Sequence, residues 1–226
     1  MSSTPDEHVG SAGTGGADAA GSAGTAGRAP AAGPPTGEAA LLAELQNVLR
    51  AVPGSMGIAT ALSHTGEHAI GWVALSAFGA WLQPERRTAW VTAGAGAFGA
   101  HAASVVVKRI VRRKRPHHPA IRVGVGTPSK MSFPSSHATS TTAFALLAGE
   151  ATGNPRAKVL IPATLIPAML ASRLTLGVHY PSDVMGGAAL GAASAVASRR
   201  LAPEFLSRAG AMGLLPAALV TDRGPR

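Results

Sequence analysis

The chain contains no cysteine among its 226 residues, which excludes a disulfide framework and any metal site built from thiolates. Alternating apolar and polar runs bounded by hairpin turns are also missing, so no β-sheet pattern competes with a helical one. Large apolar side chains are scarce in residues 1–36, which are mostly Gly, Ala, Ser, Thr and Pro. Such a segment cannot offset its own ordering entropy, and we expect it to be a disordered tail.

Acidic residues are scarce in the rest of the chain. Residues 41–226 hold 19 of the 20 Lys and Arg but only 7 of the 11 Asp and Glu, which is a net charge of +12. Six of the positive charges fall within KRIVRRKRPHH, residues 108–118. Such a cluster is typical of a protein that binds nucleic acid, an anionic membrane surface or a phosphate-bearing ligand. The charge pattern leaves these three possibilities open.

Five apolar stretches are separated by short segments that carry most of the charge. Only one of them reaches the roughly 20 residues of a membrane-spanning helix, but all are rich in the small residues that let membrane helices pack closely. Tryptophans near their ends are typical of a membrane interface. The pattern predicts an all-α integral membrane bundle with about five spanning helices. The stretches are 68–83, 88–107, 137–149, 159–172 and 184–198, and the tryptophans are Trp72, Trp81 and Trp90.

An amphipathic helix is predicted over residues 37–52, before the bundle. Leu41, Leu45, Val48 and Leu49 recur there at helical spacing. Two settings fit this helix, a membrane surface and ordinary packing on the core. We therefore expect a tail over 1–36, a membrane domain over 37–200 and a C-terminal tail over 201–226.

Polar residues stand at the start of the third apolar stretch, in PSSH (134–137). Serine is a good helix cap, and the free N–H groups of a helix start bind anions, phosphate above all.

Lys108 and Arg115 are seven residues apart, so they would share a face if the preceding helix continued as far as Pro116.

A second helix start is predicted in SRLTLGVHYPSD, residues 172–183. Gly177 breaks the apolar stretch that Arg173 ends, and Pro181 suits the first position of the next helix. Asp183 would then lie in the first turn of that helix, close enough to His179 to hold one of its ring nitrogens.

Together these segments resemble the signature of the type 2 phosphatidic acid phosphatase family, in both order and internal spacing. The matching residues are Lys108 with Arg115-Pro116, then Pro134-Ser135-Ser136-His137, then Ser172-Arg173, His179 and Asp183. The resemblance covers about residues 68–198. Ser136 departs from the family, which usually has glycine there, and this puts in doubt any backbone angle that only glycine adopts.

The resemblance implies a metal-free phosphatase with no cofactor. His179 would attack phosphorus and form a phosphohistidine, Asp183 would orient His179, and His137 would protonate the leaving oxygen. Phosphate would be held by Lys108, Arg115, Ser135, Ser136 and Arg173. No role is assigned to His64, His68, His101, His117 and His118.

Within the family, the short core and the PSSHATST stretch resemble an actinobacterial branch. That branch is proposed to dephosphorylate decaprenylphosphoryl-5-phosphoribose, a precursor of cell-wall arabinan; undecaprenyl diphosphate and phosphatidylglycerol phosphate are alternative substrates. The loop 108–133 carries eight Lys and Arg, and the positive-inside rule therefore favours a cytoplasmic site in a multi-pass protein of the cell membrane. Competing hypotheses are a basic protein that binds a membrane surface or nucleic acid, and a vanadate-dependent peroxidase. We expect no nucleic-acid partner.

Overall fold

The computed structural model describes residues 33–213, which form seven α-helices and two short 3₁₀ turns. No strand occurs within this range, where the only pairing is an isolated bridge between Lys114 and Met131. The all-α prediction is confirmed. Residues 1–32 and 214–226, parts of the two predicted tails, lie outside the described residues. The helices are α1 (Gly37–Ala51), α2 (Ser55–Thr65), α3 (Ile70–Leu82), α4 (Arg87–Val111), α5 (Ser136–Ala151), α6 (Pro155–Thr175) and α7 (Pro181–Ala211).

Helix α5 is the centre of the bundle, with 13 of its 16 residues buried between α4, α6 and α7. Its residues are small or polar near the start and larger further on, where Phe144 stacks on Trp72 of α3 with ring centroids 4.9 Å apart. Alanines of α4 and α7 complete this core. A central helix of this kind holds its first turn rigidly, and that turn carries the PSSH residues.

The contact between α5 and α7 requires a glycine at position 191. A Cβ atom there would lie 2.3 Å from the backbone oxygen of Thr139, so we expect Gly191→Ala to separate the two helices. The free energy of unfolding should fall by about 1–3 kcal/mol, as for other overpacked cores. Denaturant titration of detergent-solubilised protein measures it. Gly99→Ala is the control, because its Cβ would meet nothing within 4 Å; equal losses in the two variants would contradict the prediction.

The predicted helix starts are confirmed on both sides of the site. Helix α5 begins at Ser136, and its N-cap Ser135 accepts a hydrogen bond from the N–H of Ala138 at 3.4 Å. Helix α7 begins at Pro181, and the turn before it contains Gly177 with a φ of +67°. The starts of α5 and α7 therefore meet the ends of α4 and α6 at one end of the bundle.

The prediction that α4 continues through Arg115 is wrong. The helix ends at Val111, because Arg112 adopts a left-handed conformation with φ 54° and ψ 29°. The chain then runs extended, and Lys114 pairs with Met131. Lys108 and Arg115 therefore share no helix face; Arg115 approaches the site from a separate segment.

Three further expectations need correction or completion. Trp72 is a core residue with 2% exposure and not an interfacial one, whereas Trp81 is 71% exposed. Helix α1 packs on the bundle mainly through Leu42 and Gln46. Of the predicted face, Leu45 and Leu49 are half-buried, whereas Leu41 and Val48 are exposed. Helix α2, residues 55–65, was not predicted, because its apolar pattern is short and weak.

Two helical segments, Pro84–Val111 and Pro155–Thr175, are long and apolar enough to span a membrane. The five-span arrangement stays a prediction.

Candidate active site

A cavity of about 340 Å³ opens where these helix ends meet. Most of the residues that the family pattern singled out line its wall, although they come from four separate parts of the chain. Ser135 and Asp183 lie directly behind that wall and are fully buried. The lining residues from the pattern are Lys108, Arg115, Ser136, His137, Arg173 and His179.

The ring of His179 has a defined orientation. Its Nε2 lies 3.2 Å from Nη1 of Arg115, and because a guanidinium only donates hydrogen bonds, Nε2 must be the unprotonated nitrogen. The protonated Nδ1 faces Oδ2 of Asp183 at 3.6 Å, slightly beyond hydrogen-bonding distance. Burial lowers the pKa of His179 to about 3, so the ring is neutral at pH 7 and keeps a lone pair on Nε2.

The carboxylate of Asp183 is held from several sides. Its Oδ2 accepts a hydrogen bond from the N–H of Tyr180 at 2.8 Å, and its Oδ1 accepts one from Arg113 at 2.9 Å. Burial acts to raise the pKa of Asp183, but the His179 ring, the Tyr180 N–H and the charge of Arg113 outweigh it, and the net pKa is lowered. Asp183 is therefore ionised and fixed beside the histidine.

Arg113 lies in the basic cluster 108–118, to which the sequence gives no individual roles, and in the structure it is a partner of Asp183. Besides Asp183, it contacts the carboxylate of Glu38 and the hydroxyl of Ser182, and it lies 4.3 Å above the ring of Tyr180. Glu38 also accepts a hydrogen bond from the N–H of Ser182 at 3.0 Å. Nothing in the local sequence of Arg113 distinguishes it from its basic neighbours.

We expect Arg113→Ala to lower turnover by about 10- to 100-fold, as loss of an outer partner of a site typically does. The variant leaves Oδ1 of the buried carboxylate unpaired, and it raises the pKa of Asp183. Since Asp183 must be ionised to hold His179, the acid-side loss of activity should move to higher pH. Arg113→Lys, which keeps a positive charge at this position, should move the acid-side loss of activity by less than Arg113→Ala does. The pH profile of turnover, with Arg208→Ala as an exposed control, measures it; a profile that keeps its midpoint would contradict the role.

Besides Arg109, three cations of the family pattern line the cavity, and none of the three has a carboxylate partner among the described residues. Nζ of Lys108 donates to the backbone oxygens of Ser132, at 3.1 Å, and Pro134. Arg115 donates to the backbone oxygen of Val178 at 2.7 Å, and burial lowers its pKa to about 10, which leaves it charged at pH 7.

Arg173 completes this set of cations. It donates to the hydroxyls of Ser63 and Ser172, and its buried Nε has no partner in the part of the chain that the structure describes. Within residues 33–213, none of the three cations forms a salt bridge. Uncompensated positive charge of this density suits a dianion such as a phosphate monoester.

The PSSH residues divide between support and cavity wall. Ser135 caps α5 with its hydroxyl, while Ser136 lines the cavity and forms a 2.7 Å hydrogen bond with Ser104. The φ of Ser136 is not positive. Its backbone therefore does not need the glycine that the family usually has at this position. Ser104 was missed from the sequence, although it lies one helical turn before Lys108.

His137 also has an assigned nitrogen. Its Nε2 lies 3.0 Å from the backbone oxygen of Ser63. Because a carbonyl oxygen only accepts, Nε2 carries the hydrogen and Nδ1 is the nitrogen that can take up or release a proton.

His64, His68 and His101, which were assigned no role, line the same cavity together with Glu67. Among the described residues, no group of His, Asp and Glu side chains is arranged to hold a metal ion.

The chain is similar to known proteins over more than half of its length. The model of the PAP2 superfamily matches residues 87–206. The chain is 57% identical over 158 residues to a protein of Mycobacterium tuberculosis named decaprenylphosphoryl-5-phosphoribose phosphatase, covering 70% of this chain and 86% of the relative. A protein of Mycolicibacterium smegmatis with the same name is 58% identical over 153 residues, which is 68% of this chain and 82% of the relative. No solved structure matches the chain.

Proposed function

Because the chain belongs to the PAP2 superfamily, we propose that it is a phosphatase that removes the 5-phosphate of decaprenylphosphoryl-5-phosphoribose through a phosphohistidine, without a metal. The substrate rests on the similarity to the mycobacterial relatives, which extends over more than four fifths of their length. The observation that carries the chemistry is His179, a neutral imidazole whose Nε2 lone pair lies beside Arg115 in the wall of a cavity. The cations that line this cavity form no salt bridge within residues 33–213.

In the first step, Nε2 of His179 attacks phosphorus and the bond from phosphorus to the C5 oxygen of ribose breaks. His137 enters this step as an imidazolium, protonated at Nδ1 as well as at Nε2 beside the bound phosphate dianion. The departing oxygen takes the Nδ1 proton, which leaves His137 neutral. Asp183 stabilises the positive charge that develops on the His179 ring, and Lys108, Arg115 and Arg173 stabilise the charge on the phosphoryl oxygens. Arg115 must leave Nε2 of His179 as it turns to the phosphate, so substrate binding itself exposes the nucleophile.

In the second step, His137 removes a proton from water, and the resulting hydroxide attacks phosphorus. The bond to Nε2 of His179 breaks, inorganic phosphate leaves, and His137 is protonated again for the next cycle. Each group returns to its starting state, so that the cycle needs no external reductant, oxidant or metal.

The proposed setting is a membrane, in which the protein crosses several times. Large apolar side chains point outward from α3, α4, α6 and α7, among them Phe78, Phe98, Val159 and Phe205, each more than half exposed. An outer surface of this kind is typical of lipid-facing helices. A cavity at one end of such helices is within reach of a lipid phosphate at the membrane surface.

Topology is tested by cysteine labelling, because the chain has no native cysteine. Ala120 is exposed near the cavity, and Asn154 is exposed in the turn at the far end of α5. With a cytoplasmic site, as the charge distribution favours, Asn154→Cys should react with an impermeant maleimide in intact cells. Ala120→Cys should react only after permeabilisation. Labelling of Ala120→Cys in intact cells would place the site on the outside.

The function is tested by phosphate release from purified protein in detergent, with EDTA present. The substrates are decaprenylphosphoryl-5-phosphoribose, undecaprenyl diphosphate, phosphatidylglycerol phosphate and phosphatidate. We expect the phosphoribose lipid to be hydrolysed with the highest kcat/KM. Preference for another lipid would overturn the proposed substrate but keep the phosphatase, and no release from any of them would favour a basic protein that only binds a membrane surface.

A further inference from the structure

One wall of the cavity has no part in the proposed chemistry. It is formed by the segment that joins α2 to α3 and by one residue of α4 that packs against it. We refer to Glu67, His68 and His101 as the polar wall; all three line the cavity, with His64 at its edge. The rings of His68 and His101 are neighbours, with centroids 5.7 Å apart.

The polar wall lies beside the proposed general acid. His137 contacts the same segment through the backbone oxygen of Ser63, at 3.0 Å. Gly66 is so close to the imidazole that a Cβ atom there would lie 2.8 Å from Cδ2 of His137. Because a general acid must lie next to the leaving oxygen, the group that carries this oxygen has to lie near the polar wall.

The backbone of this wall is held in an uncommon conformation. His68 and Ala69 both have positive φ, +51° and +61°, a region that costs residues other than glycine about 1–3 kcal/mol and is concentrated at functional sites. Ala69 is fully buried, which anchors the turn, while His68 is exposed and lines the cavity. In addition, Nδ1 of His101 is buried and has no hydrogen-bond partner in the described part of the chain.

The chemistry of the polar wall selects among leaving groups. Imidazoles both donate and accept hydrogen bonds and a carboxylate accepts them, a set that matches vicinal hydroxyl groups. The carboxylate of Glu67 would repel a second phosphate bonded directly to the first, as in a diphosphate, whereas in the phosphoribose lipid the whole ribose separates the two phosphates. A diacylglycerol has no free hydroxyl besides the one that is released, and so it would leave the imidazoles unpaired.

We propose that Glu67, His68 and His101 form a subsite that binds the hydroxyl groups of a sugar leaving group and so selects a sugar phosphate over a diphosphate or a phosphatidate. This inference rests on the proposed function, since it takes the ribose of the substrate as the occupant. The phosphate would then be held by the cations, and the sugar by the polar wall.

The test compares two substrates in Glu67→Gln, His101→Phe and the double variant. For decaprenylphosphoryl-5-phosphoribose, kcat/KM should fall about 10- to 100-fold, as expected when one or two hydrogen bonds to hydroxyls are lost. For p-nitrophenyl phosphate, whose leaving group has no further hydroxyl, it should change by less than about threefold. Retained activity on the second substrate also shows that the variants are folded. His117→Phe is the matched control, because His117 is exposed and does not line the cavity.

The outcomes separate the two proposals. If the wild-type protein prefers the phosphoribose lipid but the variants lose activity on both substrates equally, or on neither, the subsite is overturned and the proposed function stands. If the wild-type protein prefers undecaprenyl diphosphate, the proposed substrate fails at the outset. In that case the charge of Glu67 is tested by itself. If this charge opposes a diphosphate, Glu67→Gln should raise the activity on undecaprenyl diphosphate; an unchanged or lower activity would overturn its selective effect.

Discussion

Replacement of His179 by alanine should abolish phosphate release, with kcat reduced by at least about 10³-fold. The reason is that Nε2 of His179 carries the lone pair that meets Arg115 at the cavity wall, and no other described side chain presents one in that place. Binding should be nearly unchanged, because Lys108, Arg115 and Arg173 are held mainly by backbone oxygens and hydroxyls and not by the imidazole.

A trapping experiment makes the His179 prediction specific. After brief incubation with substrate labelled in the 5-phosphate and acid-free denaturation, the wild-type protein should carry a label that is stable to alkali and lost in acid, as expected of a phosphohistidine. His179→Ala should carry none, while His117→Ala should behave as the wild type. Label retained on the His179 variant would show that another residue is the nucleophile.

Substitution of Asp183 by asparagine should lower kcat by about 10³- to 10⁴-fold, as loss of the orienting carboxylate does in other histidine-dependent sites. The amide retains the shape of the carboxylate but offers only one oxygen to Arg113, Tyr180 and His179. Its NH₂ group would face one of these three donors. The imidazole would then turn or change tautomer and place a hydrogen on Nε2, which removes the lone pair from the cavity.

The signature of Asp183→Asn is a fall in kcat with KM almost constant, since none of the phosphate-binding cations changes its partners. Arg113→Ala should reproduce it in weaker form. Glu204→Gln is the control, an exposed carboxylate of the same helix that pairs with Arg208. A loss confined to KM would show that Asp183 contributes to binding and not to the orientation of His179.

The parts of the site that follow local rules could be predicted from the sequence. A serine cap places Ser136 and His137 in the first turn of α5, and Pro181 starts α7 so that Asp183 returns to His179 four residues earlier. These relations depend only on neighbouring residues and on helix geometry. Their functional roles stay predictions until the variants above are measured.

The parts that depend on distant contacts could not be predicted. The end of α4 is set by the left-handed Arg112 and the pairing of Lys114 with Met131, neither of which has a strong local signal. Arg113 differs from its basic neighbours only in having Glu38 and Asp183 beside it, and these lie 75 and 70 residues away in sequence. Likewise, His68 and His101 become neighbours only when α3 packs on α4.

The contacts of α1 have a consequence for how the catalytic unit is delimited. The family model begins at residue 87, yet Glu38 reaches the Arg113 that holds Asp183. Gln46 donates to the backbone oxygens of Arg122 and Thr175, at 2.7 and 3.0 Å, and so ties the loop after α4 to the end of α6. A fragment cut at the family boundary would keep every motif residue and lose the frame that aligns them. We therefore expect the smallest functional piece of this protein to begin before Glu38, with its N-terminal helix as part of the enzyme and not an accessory to it.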